Sequence, residues 1–186
     1  MQAELGLAAY ELVVEKGYDN VTLDDMAAAG GVSRSTFLRY FHAKDQAILV
    51  ALKAYVQRMA DALRARPREE DDWSALHSAI ESFVVPIYAR NPAGAREISR
   101  LAMFTRALSG AHLERADWRT PLTAALAERH GIAGPVPIGL SVKVAAALDC
   151  MALAVAHWVA LDGEVDLVGL LREGFAALGG ESAVRG

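Results

Sequence analysis

The stretch TLDDMAAAGGVSRSTFLRYFHAKD, residues 22–45, decides the fold. It reads as two short helices joined by a tight turn. Thr22 offers an N-cap hydroxyl and Asp25 stands three residues on, close to a capping box, so a helix begins near Leu23. Gly30 and Gly31 end it, because glycine accepts the left-handed conformation that closes a helix. Ser33 then caps a second helix that runs to about Phe41. Leu23, Met26, Ala27, Val32, Phe37 and Leu38 form one small apolar face between the helices, leaving Arg34, Ser35, Thr36, Arg39 and Tyr40 to point outward. This is helix-turn-helix spacing, in which the second helix enters the DNA major groove and flanking polar groups hold phosphates.

Charge supports that reading. Between Ser33 and Arg58 stand five cations, Arg34, Arg39, Lys44, Lys53 and Arg58, against the single anion Asp45, whereas the whole chain carries a net charge of −4. A basic segment inside an acidic protein is a directed electrostatic footprint, since phosphate contacts supply most non-specific DNA affinity. An ordinary helical hairpin with a solvated basic face has the same spacing and is the competing explanation.

The longer run EKGYDNVTLDDMAAAGGVSRSTFLRYFHAKD resembles the DNA-binding domain of the TetR (AcrR) family of bacterial transcriptional regulators. Gly17-Tyr18, Thr22, Ala27, Ala29, Gly31-Val32-Ser33, Phe37, Tyr40-Phe41 and Lys44-Asp45 fall where that family's pattern expects them. The match covers about the first quarter of the chain. It departs from the pattern in starting Met-Gln-Ala-Glu, where relatives have a basic arm, and in placing Ala43 where a capping serine is common. The resemblance implies an all-α, nine-helix architecture, with a DNA-binding domain over 1–45 and a larger ligand-binding and dimerisation domain over 46–186. It implies DNA-facing roles for Thr22, Ser33, Arg34, Ser35, Thr36, Arg39, Tyr40, His42 and Lys44. Of these, Arg34, Ser35 and Thr36 open the recognition helix, and Thr22, Tyr40 and Lys44 suit phosphates.

Working outward, strand signals are almost absent and apolar residues recur at spacings of three and four, so the fold is expected to be all-α. A first helix spans Gln2 to Lys16. A long one from Lys44 to about Arg66 carries Ile48, Leu52, Tyr55, Val56, Met59 and Leu63. Arg66-Pro67-Arg68 and the acidic run Glu69 to Asp72 mark a joint, the acids reading as a solvated helix start. Helices follow over Asp72 to Arg90, from Pro92 behind an Asn91 N-cap to about Ser109, and over Ala111 to His130. The loop Gly131 to Gly139 precedes two last helices, Ile138 to Leu161 and Asp166 to Leu178. The first of these is apolar nearly all round and needs more partners than the end of the chain supplies. A second copy would provide them, with Ala145, Ala146, Ala147, Ala152 and Ala154 permitting close approach. A monomer whose central helix is simply surrounded is the alternative.

The apolar run Val144 to Leu161 is broken by Asp149 and His157, so no membrane span is expected, and the N-terminus has no signal pattern. One cysteine, Cys150, excludes an internal disulfide framework. The cytoplasm is the expected compartment. The five histidines, His42, His77, His112, His130 and His157, lack paired metal-ligand spacing, and neither a phosphate loop nor a nucleophile elbow is present. No enzyme activity, metal or cofactor is expected. Asp149 and His157 are either polar anchors for a ligand or hydrogen-bonded structural groups, and buried polar groups are usually the latter. Cys150 has no neighbouring cation to activate it and reads as a small buried hydrophobe.

Pro86 and Pro121 sit inside helical patterns and free the carbonyls of Ser82 and Asp117, bending their helices. Around them lie Phe83, Tyr88, Met103, Phe104, Arg106, Trp118 and Trp158, an apolar, aromatic set with polar handles, as small-molecule pockets have; plain core is the competing reading for each. TetR-like regulators house their effector in this second domain. The polar pattern of 92–131 is also similar to a subgroup whose ligands are acyl thioesters or other extended apolar molecules. The expected function is therefore a homodimeric transcriptional repressor on a near-palindromic operator in double-stranded DNA, released by a small apolar or amphipathic effector. The other class open to this sequence is a helical, dimeric small-molecule-binding protein or enzyme with an incidental helix-turn-helix.

Overall fold

Each regular element among the described residues is an α-helix. The computed structural model describes residues 1–104, 115–162 and 164–179, with side chains not described at 102–104 and 115–117. Nine helices lie among them: α1 Gln2–Lys16, α2 Leu23–Ala29, α3 Arg34–Tyr40, α4 Lys44–Ala65, α5 Asp72–Arg90, α6 Pro92–Phe104, α7 Arg115–Arg129, α8 Ile138–Ala160 and α9 Leu167–Gly179. The expected ends of α6 at Ser109 and α7 at Ala111 lie outside the described residues.

The helices pack as two units. The first holds Met1–Val56 and the chain from Tyr88 to the end of α6; the second holds Gln57–Ile87, α7 from Ala116 onward, α8 and α9. Thus α4 and α5 contribute residues to both.

In the first unit, α1 turns Leu5, Ala9, Tyr10, Val13 and Val14 inward, and Met26, Phe37, Phe41, Ala47, Ile48 and Tyr55 meet them as a continuous apolar set. Tyr10 and Tyr55 stand edge to face at 5.5 Å. The two turn glycines act differently from the paired helix stop expected of them. Gly31 takes the left-handed conformation, φ 68°. Gly30 has φ −81°, and its role is closeness: a Cβ there would lie 2.5 Å from Leu5 Cδ2 of α1.

Asn91 joins two helix ends through one amide. Its Oδ1 accepts the Gly94 N–H at 3.1 Å, capping α6, while its Nδ2 donates to the carbonyls of Val14 at 2.9 Å and Glu15 at 3.3 Å at the C-terminus of α1. Gly94 follows directly on this seat, and a Cβ there would lie 1.8 Å from the Val14 carbonyl oxygen. The N-terminus of α6 therefore rests on the backbone of α1.

The second unit is cored by Leu76, Ile80, Leu122, Leu126, Val144, Ala147, Trp158, Leu171 and Phe175, all buried. Trp73 donates its indole N–H to the Phe175 carbonyl at 2.9 Å, and the His77 ring stacks on Phe175 at 4.6 Å. Arg129 threads into the α4–α5 connection, donating to the carbonyls of Arg66 at 2.6 Å, Pro67 at 2.8 Å and Glu70 at 3.1 Å. By length and hydropathy α8 could cross a membrane, a property the sequence reading discounted on account of Asp149 and His157. Here α8 packs against α9.

The acidic run before α5 is more structured than a solvated helix start. Asp71 accepts the N–H groups of Trp73 and Ser74, both at 3.0 Å. Asp72, only 11% exposed, receives Lys143 Nζ at 2.6 Å and lies 2.8 Å from His130 Nε2. Burial raises the Asp72 carboxyl, and its hydrogen bonds to Lys143 and His130 outweigh that, holding it below the usual carboxylate range. A carboxyl lowered on folding stabilises the native state above its unfolded pKa, and the contribution is lost as pH falls through the folded value. Asp72→Asn should therefore cost about 1 kcal/mol at pH 7, a modest sum because Lys143 and His130 are half exposed. In urea titrations from pH 7 to pH 3, the wild type should lose its advantage over Asp72→Asn only at the acid end. An advantage independent of pH would contradict this assignment.

Candidate nucleic-acid interface

The turn expected from Thr22 and Ser33 is built as their chemistry requires. The Thr22 N–H donates to Asp25 Oδ2 at 2.8 Å and the Asp25 N–H donates to Thr22 Oγ1 at 3.2 Å, a reciprocal capping box. The Thr22 hydroxyl, which donates to Asp25 Oδ2 at 2.6 Å, and then the Thr22 N–H hold the Asp25 carboxyl below its ordinary value. Ser33 Oγ accepts the Thr36 N–H at 3.2 Å, capping α3, and also lies 3.0 Å from the hydroxyls of Ser35 and Thr36.

A helix of seven residues does not hold by itself. Phe37 fixes this one, wholly buried with its ring 4.9 Å from that of Phe41. Since Phe37 points inward, the residues two positions to either side, Ser35 and Arg39, fall on the opposite face. Thr22, Ser33, Arg34, Ser35, Arg39 and His42 are exposed, while Thr36 and Tyr40 are half-buried. One end and one side of α3 thus present three hydroxyls, two guanidinium groups, a phenol and an imidazole. Hydroxyls and guanidinium groups suit phosphate oxygens and base edges. Arg34 is not loose: its Nε lies 2.7 Å from Asp24 Oδ1 on α2.

Lys44 is placed differently from the outward phosphate ligand that the sequence suggests. Its ammonium donates to the carbonyls of Tyr18 at 2.8 Å and Val21 at 3.0 Å and lies 4.2 Å from the Tyr18 ring centroid. Two of its three N–H bonds are thereby engaged. The Tyr18 hydroxyl donates to Asp45 at 2.5 Å, and burial, reinforced by that bond, pushes the phenol up to about 12. Lys44, Asp45 and Tyr18 clip the α1–α2 connection to the start of α4, a role the sequence reading missed although it had marked Gly17-Tyr18 and Lys44-Asp45 as motif positions.

The residues expected to bind an effector divide between the units. Tyr88 belongs to the first, its hydroxyl 3.1 Å from that of Ser99, and burial raises its phenol. Phe83 and Trp118, half-buried, and Trp158, buried, belong to the second. Arg106 lies outside the described residues, as do the side chains of Met103 and Phe104. Pro86 and Pro121 stand inside α5 and α7 as expected. A charged cleft of about 300 Å³ is lined by Arg68, Glu70, Asp71, Asp72, Arg129, His130 and Lys143. Several of its charges are paired with one another, and the residues that line it are all charged or polar. Cys150 is buried, with Sγ 3.4 Å from the Gly174 carbonyl; burial, and then the nearby Asp149 charge, raise its thiol, the opposite of an activated thiolate. No group of three potential metal ligands occurs among the described residues.

A capped helix-turn-helix with an exposed polar and cationic second helix, on an otherwise helical chain, defines a DNA-binding regulator. Residues 7–51 match the family model of "Bacterial regulatory proteins, tetR family", and residues 70–182 match that of the "MftR C-terminal domain". The chain belongs to the TetR family. It is 29% identical over 83 residues to the transcriptional activator FasR of Mycolicibacterium smegmatis, a match covering 44% of this chain and 38% of that protein. It is 31% identical over 74 residues to the regulator TcmR of Streptomyces glaucescens, covering 40% and 33%. The matches thus span well under half the length of either relative. Its fold is similar to that of Thermus thermophilus FadR, a TetR-family repressor in complex with lauroyl-CoA, with TM-score 0.65, 18% identity, and coverage of 100% of this chain and 97% of that one. A Streptomyces coelicolor TetR-family regulator has TM-score 0.60 and 21% identity, with coverage of 98% and 81%.

The clip at Lys44 makes a separable expectation. Lys44→Met removes two charge-assisted hydrogen bonds and should cost about 1–2 kcal/mol, lowering Tm by roughly 2–4 °C per kcal/mol. A melting curve superimposable on the wild type would contradict the clip.

Proposed function

We propose that this protein is a homodimeric, operator-binding transcriptional repressor of the cytoplasm, released by an apolar or amphipathic small molecule. The observation that carries the DNA-binding half is the exposed edge of α3, with Ser33, Arg34, Ser35 and Arg39 exposed, Thr36 half-buried and Phe37 buried behind them. Arg34 is the residue suited to the paired acceptors of guanine. Thr22, Tyr40 and His42 flank it as phosphate contacts, joined by the remaining N–H of Lys44. The functional division proposed is 1–45 for DNA and 46–186 for ligand and dimer.

Dimerisation is supported by an uncovered apolar face. On α8, Ile138, Val142 and Leu153 are 78%, 58% and 62% exposed, and they lie along one side of the helix with the half-buried Ala145, Ala152 and a single carboxylate, Asp149. A patch of this kind marks a contact surface. Not every residue expected at that contact lies there. Ala147 and Ala154 are buried within the protomer, and the proposed contact is the neighbouring face of α8. A two-fold pair of recognition helices calls for a near-palindromic operator with half-sites one helical turn, roughly 34–36 Å, or a multiple apart.

The effector is proposed to sit in the second unit against Phe83, Trp118 and Trp158. The bound lauroyl-CoA of FadR, an extended apolar acyl chain with a polar head, is of the class this aromatic set would take. The seat of Gly94 and Asn91 on the end of α1 gives α6 a direct hold on the DNA-binding helices. An effector that shifts α6 shifts α1 with it, by as much as its affinity differs between the two arrangements.

The test uses DNA selected by the protein from a random library. Arg34→Ala should weaken operator binding by roughly 1–3 kcal/mol and relax one base position. Wild-type affinity should fall steeply with salt. If Arg34→Ala binds the operator like the wild type, the placement of α3 is wrong.

The ligand half is tested by tryptophan fluorescence with lauroyl-CoA as the first probe. Quenching and release of DNA are expected, and Trp118→Ala should keep DNA binding while blunting release. A Trp118→Ala protein released from DNA as readily as the wild type would remove that residue from the site.

A further inference from the structure

The pairing of Arg34 with Asp24 has a consequence beyond that reading, although it rests on α3 meeting DNA. Asp24 stands in the first turn of α2, and its carboxylate reaches across to α3, 2.7 Å from Arg34 Nε, with both side chains 65% exposed. No capping bond needs this residue, because the box at the start of α2 is closed by Thr22 and Asp25. An exposed arginine samples many rotamers, and an anion beside Nε narrows them. The closest approach is at the nitrogen nearest the aliphatic stem. The far edge of the guanidinium, with its two terminal nitrogens, is the edge that forms a bidentate pair with guanine O6 and N7.

The same carboxylate also neutralises the foremost cation of the recognition helix and brings a negative charge to a surface that faces polyanionic DNA. Every sequence meets that repulsion alike. Only a base that engages the aligned guanidinium compensates for it. A discriminating element of this sort lowers affinity for wrong partners more than for the right one. We propose that Asp24 is a positioning and specificity-determining residue, which aims Arg34 at its base and holds down binding to unrelated DNA.

The experiment compares the full-length wild type with Asp24→Asn, Arg34→Ala and the double variant. Each is titrated against the operator selected by the wild type and against a scrambled duplex of equal length, over a series of salt concentrations. Asp24→Asn should bind the scrambled duplex more tightly by roughly threefold to tenfold, the size expected of one exposed charge interaction in each of two subunits. Operator affinity should rise by less, so the operator-to-scrambled ratio falls, and reselection should show broadened preference at a single base position in each half-site. In the Arg34→Ala background, Asp24→Asn should leave that ratio unchanged, because the residue acts through Arg34. A ratio and base preference in Asp24→Asn equal to the wild type would overturn the proposal. So would a shift of equal size in the Arg34→Ala background, since Asp24 would then meet DNA on its own account. A wild-type protein that selects no sequence fails earlier and differently, overturning the DNA-binding reading and this inference together.

Discussion

The burial of Phe37 is the constraint on which the recognition surface depends. A seven-residue helix has too few internal hydrogen bonds to offset its nucleation, so α3 exists because Phe37 and, just beyond its end, Phe41 are wholly enclosed. Their enclosure needs α1 close by, and Gly30 permits this by leaving room for Leu5. The capping hydroxyls of Thr22 and Ser33 set where each helix begins; the aromatics set which way each faces. Once Phe37 points inward, the outward directions of Ser35 and Arg39 follow from helical geometry.

Much of this was legible in the sequence, because caps, glycines and apolar periodicity are local signals. Thr22 with Asp25, Ser33, and Asn91 before Pro92 mark their helix starts in the residue types themselves, and α1, α2 and α5 begin and end where those signals place them. Long-range partners were the harder part. Nothing near Lys44 in sequence says that its ammonium turns to the carbonyls of Tyr18 and Val21, more than twenty residues away. Asp72 reads as one acid in a solvated run, and only the arrival of Lys143 from α8 and of His130 from just past the end of α7 makes it a junction. Periodicity likewise shows that α8 is apolar on more than one side without saying which side the protomer itself covers. Ala147 therefore proved to be core, and Leu153 surface. The effector set was the least legible, since aromatic residues on bent helices look alike whether they line a cavity or fill one.

Within the first unit, α6 is joined to α1 by backbone contact as well as by side-chain chemistry. At Gly94 the N-terminus of α6 lies directly on the Val14 carbonyl, and the Asn91 amide ties the same two helix ends together. Close-packed backbones have no soft side chain between them to absorb a displacement. A shift of α6 is thereby passed to α1 and, through Leu5 and the core around Met26 and Phe37, to α3. The matched relatives include an activator, FasR, as well as the repressor FadR.

Operator recognition as proposed requires two copies of the chain, joined through one face of α8, to present paired recognition helices to one operator. Sedimentation of the full-length protein, free and on its selected duplex, measures this. A dimer in the free protein and two chains on each near-palindromic duplex are expected. A stable free monomer, or one chain bound to an operator without two-fold symmetry, would contradict it.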